Sequence, residues 1–275
     1  MKLSCCLWGL DEGTGLLRYW RRFRGQRVDL SQSLSQLASL GFRYVDITPS
    51  MLRSRESKSL LDQYKLRVNC LSACHEAPKG ATLDSDESQR LDPMLDHLTD
   101  GIAHAASLNA EFSYFVPGPL IDGNTLKRHA QSYEKLAELG SERNIKIGIE
   151  HFPGTALPTV KATLDFIKDI GHPNLYLLFD IGHAQISDED PEEVLPLAGD
   201  RLAYVHLDDN DGERDLHLPL TEGIQTEEGL SKFFNVLKEI GYDGALSLEM
   251  MPQLPDPLEA IRNGKALVER FIDLD

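Results

Sequence analysis

Short apolar, often β-branched runs alternate with longer amphipathic ones from one end of the chain to the other. The short runs are Leu3–Trp8, Tyr44–Thr48, Arg67–Cys74, Phe112–Val116, Lys146–Phe152, Leu175–Phe179, Leu202–Leu207 and Ala245–Met250, and they predict eight strands. Between them apolar residues recur at three-and-four spacing over Ser31–Leu40, Ser54–Tyr64, Ser88–Leu108, Asn124–Arg143, Thr159–Ile170, Pro191–Ala198, Thr226–Ile240 and Pro257–Ile272. That spacing predicts a helix after each strand. Gly41, Gly171 and Gly241 stand just past helix ends, where a left-handed residue closes the last turn, and Asp190-Pro191 and Asp256-Pro257 open helices. Unbroken strand–helix alternation requires parallel strands, because each helix carries the chain back across the sheet. Eight such units close a (β/α)8 barrel, and the expectation is a single α/β domain over residues 1–275. The runner-up, a doubly wound open sheet, usually carries a phosphate-binding glycine loop, but here Gly13 and Gly15 are followed by Arg18 at the third glycine position.

Composition narrows the function classes. The 275 residues hold 41% hydrophobic and 26% charged side chains, an ordinary globular balance that excludes wholesale disorder and a disulfide scaffold. Against 28 Lys and Arg stand 44 Asp and Glu, a formal charge of −16, which disfavours a broad nucleic-acid surface. No apolar run approaches the ~18 residues of a membrane span, and Asp11 and Glu12 come too early for a signal peptide, so a soluble cytoplasmic protein is expected. Cys5, Cys6, Cys70 and Cys74 lack zinc-ribbon or thioredoxin spacing and read as reduced core residues. One stretch departs from the acidic background: Arg18 to Arg27 packs five arginines and three aromatics into ten residues. It reads as an exposed helix extension or subunit contact, which leaves a homo-oligomer open; the competing reading is a lid that recruits an anionic substrate.

In such a barrel the site lies at the C-terminal ends of the strands. Four successive strands end in ionisable groups there: Glu150 in IEHFPG, Asp180 with His183 in FDIGHA, His206 in VHLDDND and Glu249 in LSLEM. Converging carboxylates repel one another and call for a cation. Three carboxylates and an imidazole form a hard-to-borderline ligand set that suits a divalent ion, Mn²⁺ foremost, with Mg²⁺, Co²⁺ or Zn²⁺ as alternatives.

These motifs, with the following DLHLP, resemble the xylose isomerase-like barrels, a superfamily of sugar isomerases and epimerases of the D-tagatose 3-epimerase kind that also includes endonuclease IV-type repair enzymes. The resemblance implies that Glu150, Asp180, His206 and Glu249 bind one divalent ion, and that Glu150 and Glu249 also shuttle a proton. It makes His183 a contact to a substrate hydroxyl or a support behind the metal ligands. His75, Trp8 and Arg214 are further substrate-contact candidates, and Asp215 with His217 could hold a second metal, because an Asp-x-His pair on an extended segment points both side chains one way. The implied chemistry is proton removal next to a carbonyl, through an enediolate, on a sugar or sugar derivative. Return of the proton to the same carbon gives an epimer, return to its neighbour interconverts aldose and ketose, and loss of a β-substituent makes the enzyme a lyase or dehydratase. The repair branch needs a histidine at the fourth strand end, which reads Tyr114-Phe-Val-Pro-Gly118. An endonuclease IV-like phosphodiester hydrolase and a non-catalytic sugar-binding barrel are therefore the weaker readings.

Overall fold

The computed structural model describes residues 1–10, 30–251 and 254–272, so the arginine-rich stretch and the Gly13–Gly15 loop lie outside the described residues. Eight strands are present: β1 Lys2–Cys5, β2 Tyr44–Ile47, β3 Arg67–Ser72, β4 Phe112–Phe115, β5 Lys146–Glu150, β6 Leu175–Asp180, β7 Leu202–Leu207 and β8 Ala245–Leu248. All pair in parallel, in the order β1-β8-β7-β6-β5-β4-β3-β2. The remaining seam is joined by a single parallel bridge between Cys6 and Asp46, beside which the Ser4 hydroxyl donates to Asp46 Oδ1 at 2.5 Å. The result is a nearly closed (β/α)8 TIM barrel, as the alternating pattern predicts.

The described helices are α1 Leu30–Ser39, α2 Arg55–Tyr64, α3 Ser88–Ser107, α4 Thr125–Glu142, α5 Val160–Ile170, α6 Ile181–Ile186, α7 Pro191–Ala198, α8 Glu227–Glu239 and α9 Pro257–Val268. Their starts follow from local chemistry: Thr159, Asp190, Thr226 and Asp256 each accept a hydrogen bond from a backbone N–H that the helix leaves unpaired. Gly41, Gly171 and Gly241 adopt φ of 82°, 71° and 70°, the left-handed closure expected of them.

Most element ends shift by one or two residues from the sequence pattern, and three of the differences bear on the site or the helix lengths. Trp8 sits in a 3₁₀ turn, Leu7–Gly9, not in β1; Glu249 falls one residue beyond β8; and α9 stops at Val268. The connection after β6 contains two helices instead of one. Asp180 ends its strand and caps α6, its Oδ1 accepting from the His183 N–H at 2.7 Å, so hydrogen bonding starts a helix too short to register as a periodic pattern.

Alternation along the strands sorts side chains into two layers. Cys70, Phe112, Tyr114, Leu178, Tyr204 and Ala245 fill the barrel interior, with Phe112 stacked on Tyr204 at 4.8 Å, while the larger core lies between strands and helices. Cys5, Cys6 and Cys70 are buried, Cys74 is partly so, and all four are free thiols, pushed up by burial and hence chemically quiet. No helix among the described residues is long and apolar enough to cross a membrane.

Candidate metal centre

Parallel register sets the strand ends at one height. Asp180 lies beside His206, and His206 beside Ser247, two residues before Glu249. From there His206 Nδ1 stands 2.7 Å from Glu249 Oε2, 3.1 Å from Glu150 Oε1 and 3.6 Å from Asp180 Oδ2. The four residues therefore meet, with one ligand atom from each within 4.8 Å of the others, and all four are buried.

Burial makes this cluster costly without a counter-charge. Burial raises the Glu150 carboxyl, an effect the neighbouring His206 only partly offsets. Burial would also raise Asp180, but the His183 and His206 charges outweigh it and hold the group well below its ordinary value. Glu249 is pulled down to about 2, because His206 and His217 overcome its burial. Burial works against charge on His206, yet the charge of Glu249 and the close approach of the Asp180, Glu150 and Glu249 carboxylates to Nδ1 raise it well above the usual imidazole value. One imidazolium thus faces three carboxylates, and Asp180 Oδ2 and His206 Nε2, both buried, have no hydrogen-bond partner. Oxygen-rich, short of positive charge and with a lone pair to spare, the set fits a divalent cation.

A second group adjoins it. His217 Nε2 lies 3.0 Å and His183 Nε2 3.7 Å from Asp215 Oδ1, and His217 Nδ1 lies 2.9 Å from Asp208 Oδ2. Asp215 and His217 do converge, and His217, with a φ of 43°, departs from the extended backbone expected of their segment. Burial would lower His183, but Asp180 and Asp215 raise it to about 10, so it stands as a cation beside the first group.

Trp8 reaches the centre from the turn after β1, its Nε1 donating to Glu249 Oε1 at 3.0 Å while its ring lies 4.9 Å from the His75 ring. His75 is fixed by Ser72 Oγ at 2.6 Å from Nδ1. Arg214 is not part of this assembly: its exposed guanidinium forks onto Asp211 at 2.8 and 2.6 Å. Two residues that matter here carry no assignment from the sequence. Asp208 accepts from the Gly182 N–H at 3.1 Å, an approach that needs glycine because a Cβ at position 182 would lie 2.3 Å from Asp208 Oδ1. Its signal was the strand period, which puts residue 208 on the same face as His206. His151 Nε2 accepts from the Asp180 N–H at 3.1 Å, and burial depresses its pKa to about 3. Nothing in the sequence distinguishes it from a residue flanking Glu150.

The inosose dehydratase of Clostridium perfringens is 32% identical over 277 residues, covering 90% of this chain and 91% of that one. An uncharacterized protein of Methanocaldococcus jannaschii is 35% identical over 164 residues, an alignment that spans only 55% of each chain. The D-allulose 3-epimerase of Methylomonas sp., solved in complex with D-allulose, shares the fold at a TM-score of 0.79 and 17% identity, covering 99% of this chain and 97% of that chain. Residues 34–270 match the family of xylose isomerase-like TIM barrels, and the chain belongs to that family.

Proposed function

We propose that the protein is a divalent-metal-dependent epimerase or isomerase of a keto-sugar or sugar derivative, working by proton transfer next to the carbonyl. The observation that carries this reading is the convergence of Glu150 and Glu249, from β5 and from the residue after β8, on one nitrogen of His206, Nδ1, at 3.1 and 2.7 Å, beside Asp180 Oδ2, which has no hydrogen-bond partner. Glu150, Asp180, His206 and Glu249 would hold the ion, which when bound draws off the negative charge that develops on the carbonyl oxygen. Glu249, kept ionised by His206 and His217 and oriented by the Trp8 indole N–H, accepts the proton from the substrate carbon. Glu150, whose burial favours the protonated form, returns one from the other face. Trp8 and His75 form a wall against the sugar's apolar face. His183, held as a cation with its Nε2 unpartnered, donates to a substrate hydroxyl.

A second reading is favoured by the full-length similarity to an inosose dehydratase. Glu249 takes the same proton, and the carbanion expels a β-hydroxyl that leaves as water with a proton from His183, giving an unsaturated ketone. Both readings are tested by supplying Mn²⁺ to the purified chain in D₂O with keto-sugars and inososes, followed by NMR. Deuterium incorporation with carbon count and oxygen content unchanged supports epimerisation or isomerisation. Loss of one oxygen selects dehydration, and absence of both exchange and oxygen loss on every substrate removes both.

A further inference from the structure

A cavity of about 570 Å³ lies apart from the metal centre, beneath the loops that follow β3 and β4, and none of its lining residues belongs to either cluster described above. Phe115 at the end of β4 lines it while packing in the outer core, and the neighbouring Tyr114 packs in the barrel interior, so the strand end stands between the cavity and the barrel. The volume is that of a small-molecule site.

His129, on the first turns of α4, is the telling residue. It lines the cavity at 2% exposure, yet neither ring nitrogen has a hydrogen-bond partner. Its Nε2 and Cε1 edge faces the cavity wall at Gly118, 3.9 Å from where a Cβ there would stand. Burial keeps the ring neutral, so it presents one donor and one acceptor, and leaving both unmade is costly.

The charges around it decide the ligand class. Asp84, Asp86, Glu87 and Asp122 line the same cavity. Arg128 is already committed, to Asp122 at 3.0 Å, to Asp86 at 3.6 Å and to the Asp84 carbonyl, and Arg90 donates to the Gly80 carbonyl at 3.3 Å. An anion would meet repulsion here, whereas hydroxyl groups find carboxylate acceptors and an imidazole that both gives and takes. Leu83, Met94 and Phe115 supply an apolar wall for a C–H face. We propose that this cavity is a second carbohydrate site, taking a neutral pyranoside or cyclic polyol, whether a separate molecule or the distal unit of a longer substrate.

The test uses the full chain and methyl α-D-glucopyranoside, which has no free carbonyl to react at the metal centre. Titration followed by ¹H–¹⁵N NMR should give saturable shifts at Gly118, Asp84 to Glu87 and His129. His129→Phe keeps the ring volume and should weaken binding about tenfold or more, the fold-change expected for two lost hydrogen bonds. Gly118→Leu is the second variant: the backbone there is not left-handed and no neighbour lies closer than 3.9 Å to a new Cβ, so the side chain would extend into the cavity and block it. Asp180→Asn should leave these shifts unchanged. Repeating the titration with maltose identifies the source: simultaneous shifts here and at the metal centre mark the distal unit of a longer substrate, and shifts here alone mark a separate molecule. The proposal is overturned if no saturable shift occurs at these residues, if both variants bind as wild type does, or if inorganic phosphate binds in place of the glycoside.

Discussion

The two halves of the barrel share one architecture and handle charge in opposite ways. In the half built on β5 to β8, Glu150, Asp180, His206 and Glu249 crowd a buried centre, and the three histidines facing carboxylates, His183, His206 and His217, are raised by charges that outweigh their burial, whereas His151 behind them is lowered by burial. In the half built on β1 to β4, burial instead lowers His75, His104 and His129, and the strand-end positions are neutral or nearly so, with Tyr114 edge-on to His206 at 5.3 Å. Among its described residues the fully buried carboxylate is Asp46, which burial raises while hydrogen bonds from Ser4 and from the Tyr204 hydroxyl, 2.8 and 2.9 Å from the two carboxylate oxygens, satisfy it. One half stores electrostatic strain that a ligand can relieve, and the other forms a satisfied wall. A repeated fold becomes an asymmetric site through side chains alone.

The largest effect expected from breaking this asymmetry is on turnover. Glu249→Gln and Glu150→Gln should each lower the rate by about 10²-fold or more, the scale of a lost general acid or base. Metal content must be measured on the same samples, because near wild-type activity with the ion retained would remove the two-carboxylate mechanism. Asp180→Asn should instead lower metal occupancy with the circular dichroism spectrum unchanged; undiminished metal content would take Asp180 out of the ligand set.

With the proposed ion bound, its removal should expose the strain directly. Chelation should lower the melting temperature, and adding a divalent ion at a hundred times its dissociation constant should restore about 2.7 kcal/mol of stability. A melting curve indifferent to the ion would mean that the β5 to β8 half already balances its charge by protonation.

Alkaline titration of the metal-free chain sharpens the same contrast. His183 has a folded pKa of about 10, above its unfolded value, so its contribution is full below pH ~6.5 and is lost as pH rises through 10. Stability to urea should fall by on the order of 2 kcal/mol between pH 7 and 9. His183→Gln should reduce that slope, leaving the part that the raised His206 and His217 contribute, and an equal slope in the variant would contradict the assignment. The lowered histidines of the other half act with the opposite sign, costing stability as pH falls below ~6.5.

The smallest effect probes the satisfied wall. Tyr204→Phe strips Asp46 of the one hydroxyl proton its two oxygens share and should cost about 1 to 2 kcal/mol of stability without changing metal content. A fall in metal content would show that the two halves are coupled through β7.

The alternation of strand and helix, the helix caps at Asp190 and Asp256 and the left-handed Gly41, Gly171 and Gly241 were legible in the sequence because each depends on neighbours within a few residues. The four strand-end residues were legible too, since a parallel barrel brings successive strand ends to one rim whatever its details. What tertiary structure decided is everything that depends on distance across the barrel. Trp8 donates to Glu249 across 241 positions, Tyr204 reaches Asp46 on the far wall, Asp208 closes on Gly182, and His129 is buried without a partner. Residue type and spacing fix which groups can meet a neighbour in the chain. Only closure of the barrel fixes which distant groups share one low-dielectric space, and that sharing sets their protonation and their chemistry.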